Sequence, residues 1–266
     1  MLDSVLRNLL SFDWSVLLLV GGILLLATEL GYRFGQRYTP EQRKAHQGQS
    51  GTLQGALLGL LGLLLGFTFA MAVGRFESRK QLVLDEANGI GTTWLRAGYL
   101  SEPVRDVIRP ALLDYIDARL QAAKVPTRSE EYNKLAARSE QNQAAMWRVT
   151  VNEVKASDSP AVSLFTASLN DLIDLDAKRQ AATRNHVPGS VWLLLMLVSV
   201  TVCWTTGYST GLGDSGRLVL SMIVLPVLLT AVITIIADLD NPQRGLIKVS
   251  QQSMIDLQNA LKRYEP

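Results

Sequence analysis

Thr52–Gly74 reads TLQGALLGLLGLLLGFTFAMAVG, a stretch without a charged residue and with glycine at Gly55, Gly59, Gly62, Gly66 and Gly74. A helix crossing a bilayer needs about 20 consecutive, mostly apolar residues. This stretch meets that length and offers no polar face to water, so it does not read as the amphipathic helix of a soluble domain. Three further windows behave alike: Trp14–Gly31, Gly189–Tyr208 and Arg217–Ala237. The first runs on into Thr28-Glu29-Leu30-Gly31-Tyr32-Arg33 without a small-x-small cleavage site, so it reads as a retained span and not as a signal peptide. Trp14, Tyr32, Trp192, Trp204 and Tyr208 fall near the window ends, the place of an aromatic belt.

Composition agrees. Apolar residues make up 48% of the chain and charged residues 19%, and almost all the charge lies outside the four windows, with Glu29 the one acid inside the first, near its end. A net charge of +2 carries no basic field directed at nucleic acid. The single cysteine, Cys203, rules out an internal disulfide, and His46 and His186 stand far apart without a partner at metal or catalytic spacing. No cofactor-binding motif and no paired catalytic groups are present, so an enzyme ranks last among the functional readings.

Four spans place both ends and the long middle segment on one side. Arg7, Arg75, Arg79, Lys80, Lys178, Arg179, Arg184, Arg244 and Lys248 flank the spans there, against Arg33, Arg37, Arg43, Lys44 and Arg217 opposite. Cytoplasmic flanks carry the excess of Lys and Arg, so the termini and the middle segment are expected in the cytoplasm.

Between the second and third spans the apolar residues recur at helical spacing. Ser101-Glu102-Pro103 and Ser159-Pro160 read as helix starts, and Pro126-Thr127 as a restart. The expected stripes are Val104, Val107, Ile108, Leu112, Tyr115 and Ile116; then Tyr132, Leu135, Met146, Val149 and Val154; then Val162, Phe165, Leu169, Leu172 and Ile173. Asn170, Asp171, Asp174 and Asp176 read as a solvated face. After Pro242, Leu246, Val249, Leu257, Leu261 and Tyr264 form one amphipathic face. The fold class is therefore an all-α integral membrane protein: four transmembrane helices, a cytoplasmic helical bundle inserted between the second and third, and a C-terminal amphipathic helix. Residues 1–74 carry spans one and two, 75–187 the cytoplasmic domain, 188–238 spans three and four, and 239–266 the tail.

Three features are candidates for function. Gly55, Gly59, Gly62, Gly66, Ala70 and Gly74 make a small-residue ridge along the second span. Glycine costs a helix up to about 1 kcal/mol relative to alanine, so the ridge needs a compensating reason. It suits close helix packing, or a conduction path narrowed by Phe67 or Phe69. Beyond the span, Asp85, Asn88, Thr92 and Arg96 share a helical face, either a solvent stripe or the lining of a polar vestibule. Asp238 and Asp240, after the fourth span, fall at the same membrane face as Arg75 and Arg79, and pairing between these charges is expected.

Phe67–Lys80 (FTFAMAVGRFESRK), Asp85–Ala97 (DEANGIGTTWLRA) and Leu239–Val249 (LDNPQRGLIKV) together resemble an uncharacterised bacterial family of four-span proteins described as bestrophin-like. Asn241 stands where that family usually has Arg, and Gln243 where it often has an aromatic residue. The resemblance implies cytoplasmic termini and, by analogy of fold, an oligomeric channel whose second span lines the pore. The partners so implied are the lipid bilayer, further copies of the chain and an inorganic ion, with no nucleic acid. The competing reading is a non-conducting scaffold or sensor whose cytoplasmic domain binds a partner.

Overall fold

The computed structural model describes residues 14–127, 129–213, 219–241 and 247–263, with the backbone alone at 40, 44–50 and 219–221. Arg7, Arg217, Arg244, Leu246, Tyr264 and the middle of the Leu239–Val249 motif lie outside the described residues, as do the side chains of Lys44 and His46. Eight helices make up the described chain: α1 (Trp14–Gly35), α2 (Pro40–Ala97), α3 (Glu102–Ala122), α4 (Glu130–Ala156), α5 (Pro160–Arg184), α6 (Gly189–Leu212), α7 (Val219–Asp240) and α8 (Gln252–Lys262). The stretches Trp14–Gly35, Gly51–Ala97, Pro160–Leu212 and Met222–Asp240 each contain a window long and apolar enough to cross a membrane. The chain is an all-helical membrane protein with four such spans.

It divides into two compact units, Met1–Gly74 with His186–Ile247, and Arg75–Asn185 with Lys248–Pro266. In the first unit α1 packs on α6 and α7. Its core holds Leu24, Leu61, Leu195, Val202, Cys203 and Ile233. The closest approach is between α1 and α6, at Gly31 and Gly35 on one helix and Gly207 and Gly211 on the other. A Cβ built on Gly207 would lie 1.9 Å from the Thr28 carbonyl oxygen, and one on Gly31 would lie 2.1 Å from that of Trp204. At Gly35 and Gly211 the corresponding distances, to the carbonyls of Tyr208 and Tyr32, are 2.6 and 2.3 Å. Only glycine fits between backbones this close, the usual device for joining helices where lipid removes the hydrophobic drive. Tyr32 is consequently buried against α6, and its hydroxyl accepts a hydrogen bond from Gln36, so it is not part of an aromatic belt. Phe34, Tyr38, Trp204 and Tyr208 cluster instead, with Trp204 and Tyr208 stacked at 5.4 Å between ring centroids.

The second unit is a helical bundle around Ile90, Trp94, Ile108, Leu112, Ile116, Phe165, Leu169 and Leu172. Local chemistry sets its helix starts. The Ser129 hydroxyl accepts the Tyr132 N–H at 3.0 Å, and the Ser159 hydroxyl accepts that of Ala161 at 3.3 Å. Ser101 caps α3 without a side-chain bond to it; its hydroxyl and N–H are taken by the Glu153 carboxylate. Two expected stripe residues, Val107 and Val154, are exposed. The seam of α4 is more polar than its valines suggest, running through Leu135, Ser139, Gln143, Met146 and Thr150. Ser139 and Thr150 satisfy their hydroxyls on the carbonyls four residues back. Met254 and Leu261 of α8 are buried in the same core, with Leu257 packed against it.

Candidate functional site

Within the first unit, α2 turns one side to the other spans. Leu61, Thr68 and Ala72 are buried there, with Leu57, Leu64 and Leu65 packed against the same core. The Thr68 hydroxyl returns to the Leu64 carbonyl at 2.7 Å, and Gln54 donates to the Thr206 hydroxyl of α6 at 3.0 Å. At 100° per residue the glycine ridge lies roughly 100–180° round the helix from Leu61. A Cβ on Gly55, Gly59, Gly62, Gly66 or Gly74 would meet nothing within 4 Å. Ala70 is likewise exposed, and Phe67 and Phe69 are 64% and 43% exposed. Among the described residues, the ridge therefore meets no packing partner within the protomer. The glycines that bring backbones together are Gly31, Gly35, Gly207 and Gly211, which the sequence reading passed over. Their signal was present as a Gly-x-x-x-Gly in each of α1 and α6.

Among the polar candidates of the second unit, Asn88 and Thr92 are exposed, while Asp85 and Arg96 are half-buried. Asp85 accepts a hydrogen bond from Gln81 at 2.8 Å, and Arg96 donates to the Leu164 carbonyl at 2.9 Å. Arg79 is buried and donates to the Ala182 and Asn185 carbonyls at 3.0 and 2.8 Å, fixing the end of α5. Arg75 is half-buried.

The two acids expected after the fourth span lie in the last turn of α7 and hold backbone amides of the first unit. Asp240 accepts the Val187 N–H at 3.0 Å, just before α6 begins, and the His186 ring nitrogen lies 3.0 Å from the Asp240 carbonyl oxygen. Asp238 accepts the Ile247 N–H at 2.9 Å.

A buried charge network lies in the second unit. Glu86 on α2 is fully buried and contacts Tyr115, Arg119 and Arg179. Arg119 reaches both Glu86, at 3.1 Å, and Asp176, at 2.9 Å; neither contact is aligned as a hydrogen bond, so both act as ion pairs. Asp176 also accepts from Gln143 at 2.9 Å and Gln180 at 3.1 Å. Arg179 donates to the Gln251 side chain at 2.7 Å. Burial pushes the Glu86 carboxyl up, but Arg119, Arg179 and the Tyr115 hydroxyl together outweigh it and hold it below the usual carboxylate range. Burial, with the Glu86 charge added, pushes the Tyr115 hydroxyl well above the ordinary phenol. The solvated face expected at Asn170, Asp171, Asp174 and Asp176 is thus corrected at its last member. Asp171 and Asp174 are exposed, but Asp176 is 2% exposed and paired with Arg119. Its position continues the buried series Val162, Phe165, Leu169 and Leu172 at helical spacing.

The chain matches the Bestrophin-like domain over residues 22–254 and belongs to that family. It shares its fold with crystal structures of two mutants of a bacterial bestrophin homologue from Klebsiella pneumoniae. One matches with a TM-score of 0.63 at 13% identity, covering 93% of this chain and 96% of that one. The other matches with a TM-score of 0.60 at 15% identity, covering 92% and 98%. Among curated proteins none matches.

Proposed function

We propose that this protein is a homo-oligomeric channel for an inorganic ion in a bacterial inner membrane, with both termini and residues 75–187 in the cytoplasm. The observation that carries the reading is the open glycine face of α2. Five helical glycines, each a cost to the helix, face free space in the protomer while the opposite side of the same helix is packed. Such a face acquires a purpose when copies assemble around an axis. One edge of it meets a neighbouring copy, and the rest borders a path for ions, with Phe67 and Phe69 as its apolar constriction. Asp85, Asn88, Thr92 and Arg96 then line the polar vestibule beyond the span. Membership in the Bestrophin-like family supports the assembly.

The test joins two measurements on purified protein: mass in detergent, and ion flux from reconstituted vesicles. A ring of several copies with flux that falls on Gly66→Leu is expected. A monomer, or an oligomer that passes no ion under any gradient, overturns the reading in favour of a scaffold.

A further inference from the structure

The charge network has an asymmetry that its stabilising role does not explain. Arg179 is bound on both sides: its Nη1 pairs with Glu86 of α2, and its Nη2 donates to Gln251, which immediately precedes α8. Gln251 in turn donates to the Val249 carbonyl at 3.1 Å, so the guanidinium holds the turn that launches α8. The helix itself has 11 residues, too few to persist alone in water. It depends on Met254, Leu261 and Leu257 for anchorage in the core. Leu257 lies over α2 at Gly91, where a Cβ would come to 3.4 Å from its Cδ1. The C-terminal segment is thus tied to α2 twice, once by an apolar contact and once by an ionic relay.

We propose that Glu86 and Arg179 form a buried ionic latch through which docking of the C-terminal segment and order in residues 82–97 of α2 depend on one another. Glu86 fixes the Arg179 guanidinium in the one orientation that meets Gln251. A Lys at 179 would supply one point charge and not two directed donors. Coupling of this kind is reciprocal: what loosens the segment loosens α2, and what loosens Glu86 releases the segment. A two-state element is thereby built onto the helix that also forms the second span. The latch stands whether or not the protein conducts.

The test is amide hydrogen exchange on the full-length protein in lipid nanodiscs, followed by mass spectrometry on peptides covering 82–97 and 252–262. Gln251→Ala removes only the tail-side bond, and about tenfold faster exchange is expected in 252–262, as for loss of a hydrogen bond to a charged group. Glu86→Gln reaches the Gln251 bond through Arg179, and is expected to speed exchange in 252–262 comparably. Combined with Arg179→Gln, the Gln251→Ala change should have little further effect. Asp114→Asn, at the surface ion pair between α3 and α4, serves as the control and should leave 252–262 unchanged. The latch is overturned if Glu86→Gln speeds exchange in 82–97 while 252–262 stays protected. It is equally overturned if every peptide of the bundle shifts together, since that reports global loosening.

Discussion

Alanine at Gly207 and alanine at Gly62 are the same chemical change in the same kind of helix, and the structure assigns them opposite signs. At Gly207 the new methyl would lie 1.9 Å from the Thr28 carbonyl oxygen, 2.8 Å from its carbon and 2.9 Å from the Tyr32 nitrogen. Ordinary C···O contacts are about 3.3–3.6 Å, so α1 and α6 must part by on the order of 1.4 Å. The obstructing atoms are backbone, and no rotamer relieves the clash. Overpacking of this kind costs about 1–3 kcal/mol or more, against a gain of about 1 kcal/mol in helix propensity. A net loss of about 2 kcal/mol lowers the melting temperature of a chain this size by roughly 4–8 °C. At Gly62 the methyl meets nothing, and the propensity gain stands alone, raising it by roughly 2–4 °C. Thermal unfolding in detergent at one fixed scan rate, with mass measured alongside, compares the two. Adding Gly31→Ala to Gly207→Ala should cost little more, since the helices are already apart. If Gly207→Ala melts with the wild type, the close approach is not what holds these spans together. If Gly62→Ala lowers the melting temperature while the mass falls to that of a monomer, the ridge is subunit packing along its full width and borders no path.

Glu86→Gln leaves one buried and one half-buried guanidinium with one buried carboxylate, and should open residues 252–262 to limited proteolysis ahead of the rest of the bundle. Its pH dependence follows in sign. The folded carboxyl titrates below its unfolded value, so its contribution is present above the unfolded glutamate pKa of about 4.3 and is lost as pH falls through the folded one. The gap between wild type and variant should be constant from about pH 5 to 8 and close only at stronger acid. Asp240→Asn replaces the carboxylate that accepts the Val187 N–H, and should cost about 1 kcal/mol in the melting of the spans. Asp114→Asn breaks an ion pair whose partners are 39% and 40% exposed, so screening leaves it under about 1 kcal/mol.

What the sequence revealed and what it hid divide along physical lines. The four spans were legible because an apolar run of membrane length has few alternatives, and the helix start at Ser159 because capping is local chemistry. Asp176 and Glu86 were hidden because a carboxylate at a seam position looks like surface until its counter-ion, Arg119 from another helix, is brought beside it. The glycines teach the sharper lesson. A small residue tells that something comes near or that nothing does, and the two leave the same letter in the chain. The long ridge from Gly55 to Gly74 is regular, yet a Cβ on any of its glycines would meet no described atom within 4 Å. The two short pairs, Gly31 with Gly35 and Gly207 with Gly211, carry the backbone contact. They could be told apart by matching. A Gly-x-x-x-Gly on α1 finds its equal on α6, and each glycine meets backbone of the facing helix. The ridge on α2 has no such counterpart in α1, α6 or α7 along its length. In the proposed assembly this unmatched motif is what faces the other copies of the chain and the ion path between them.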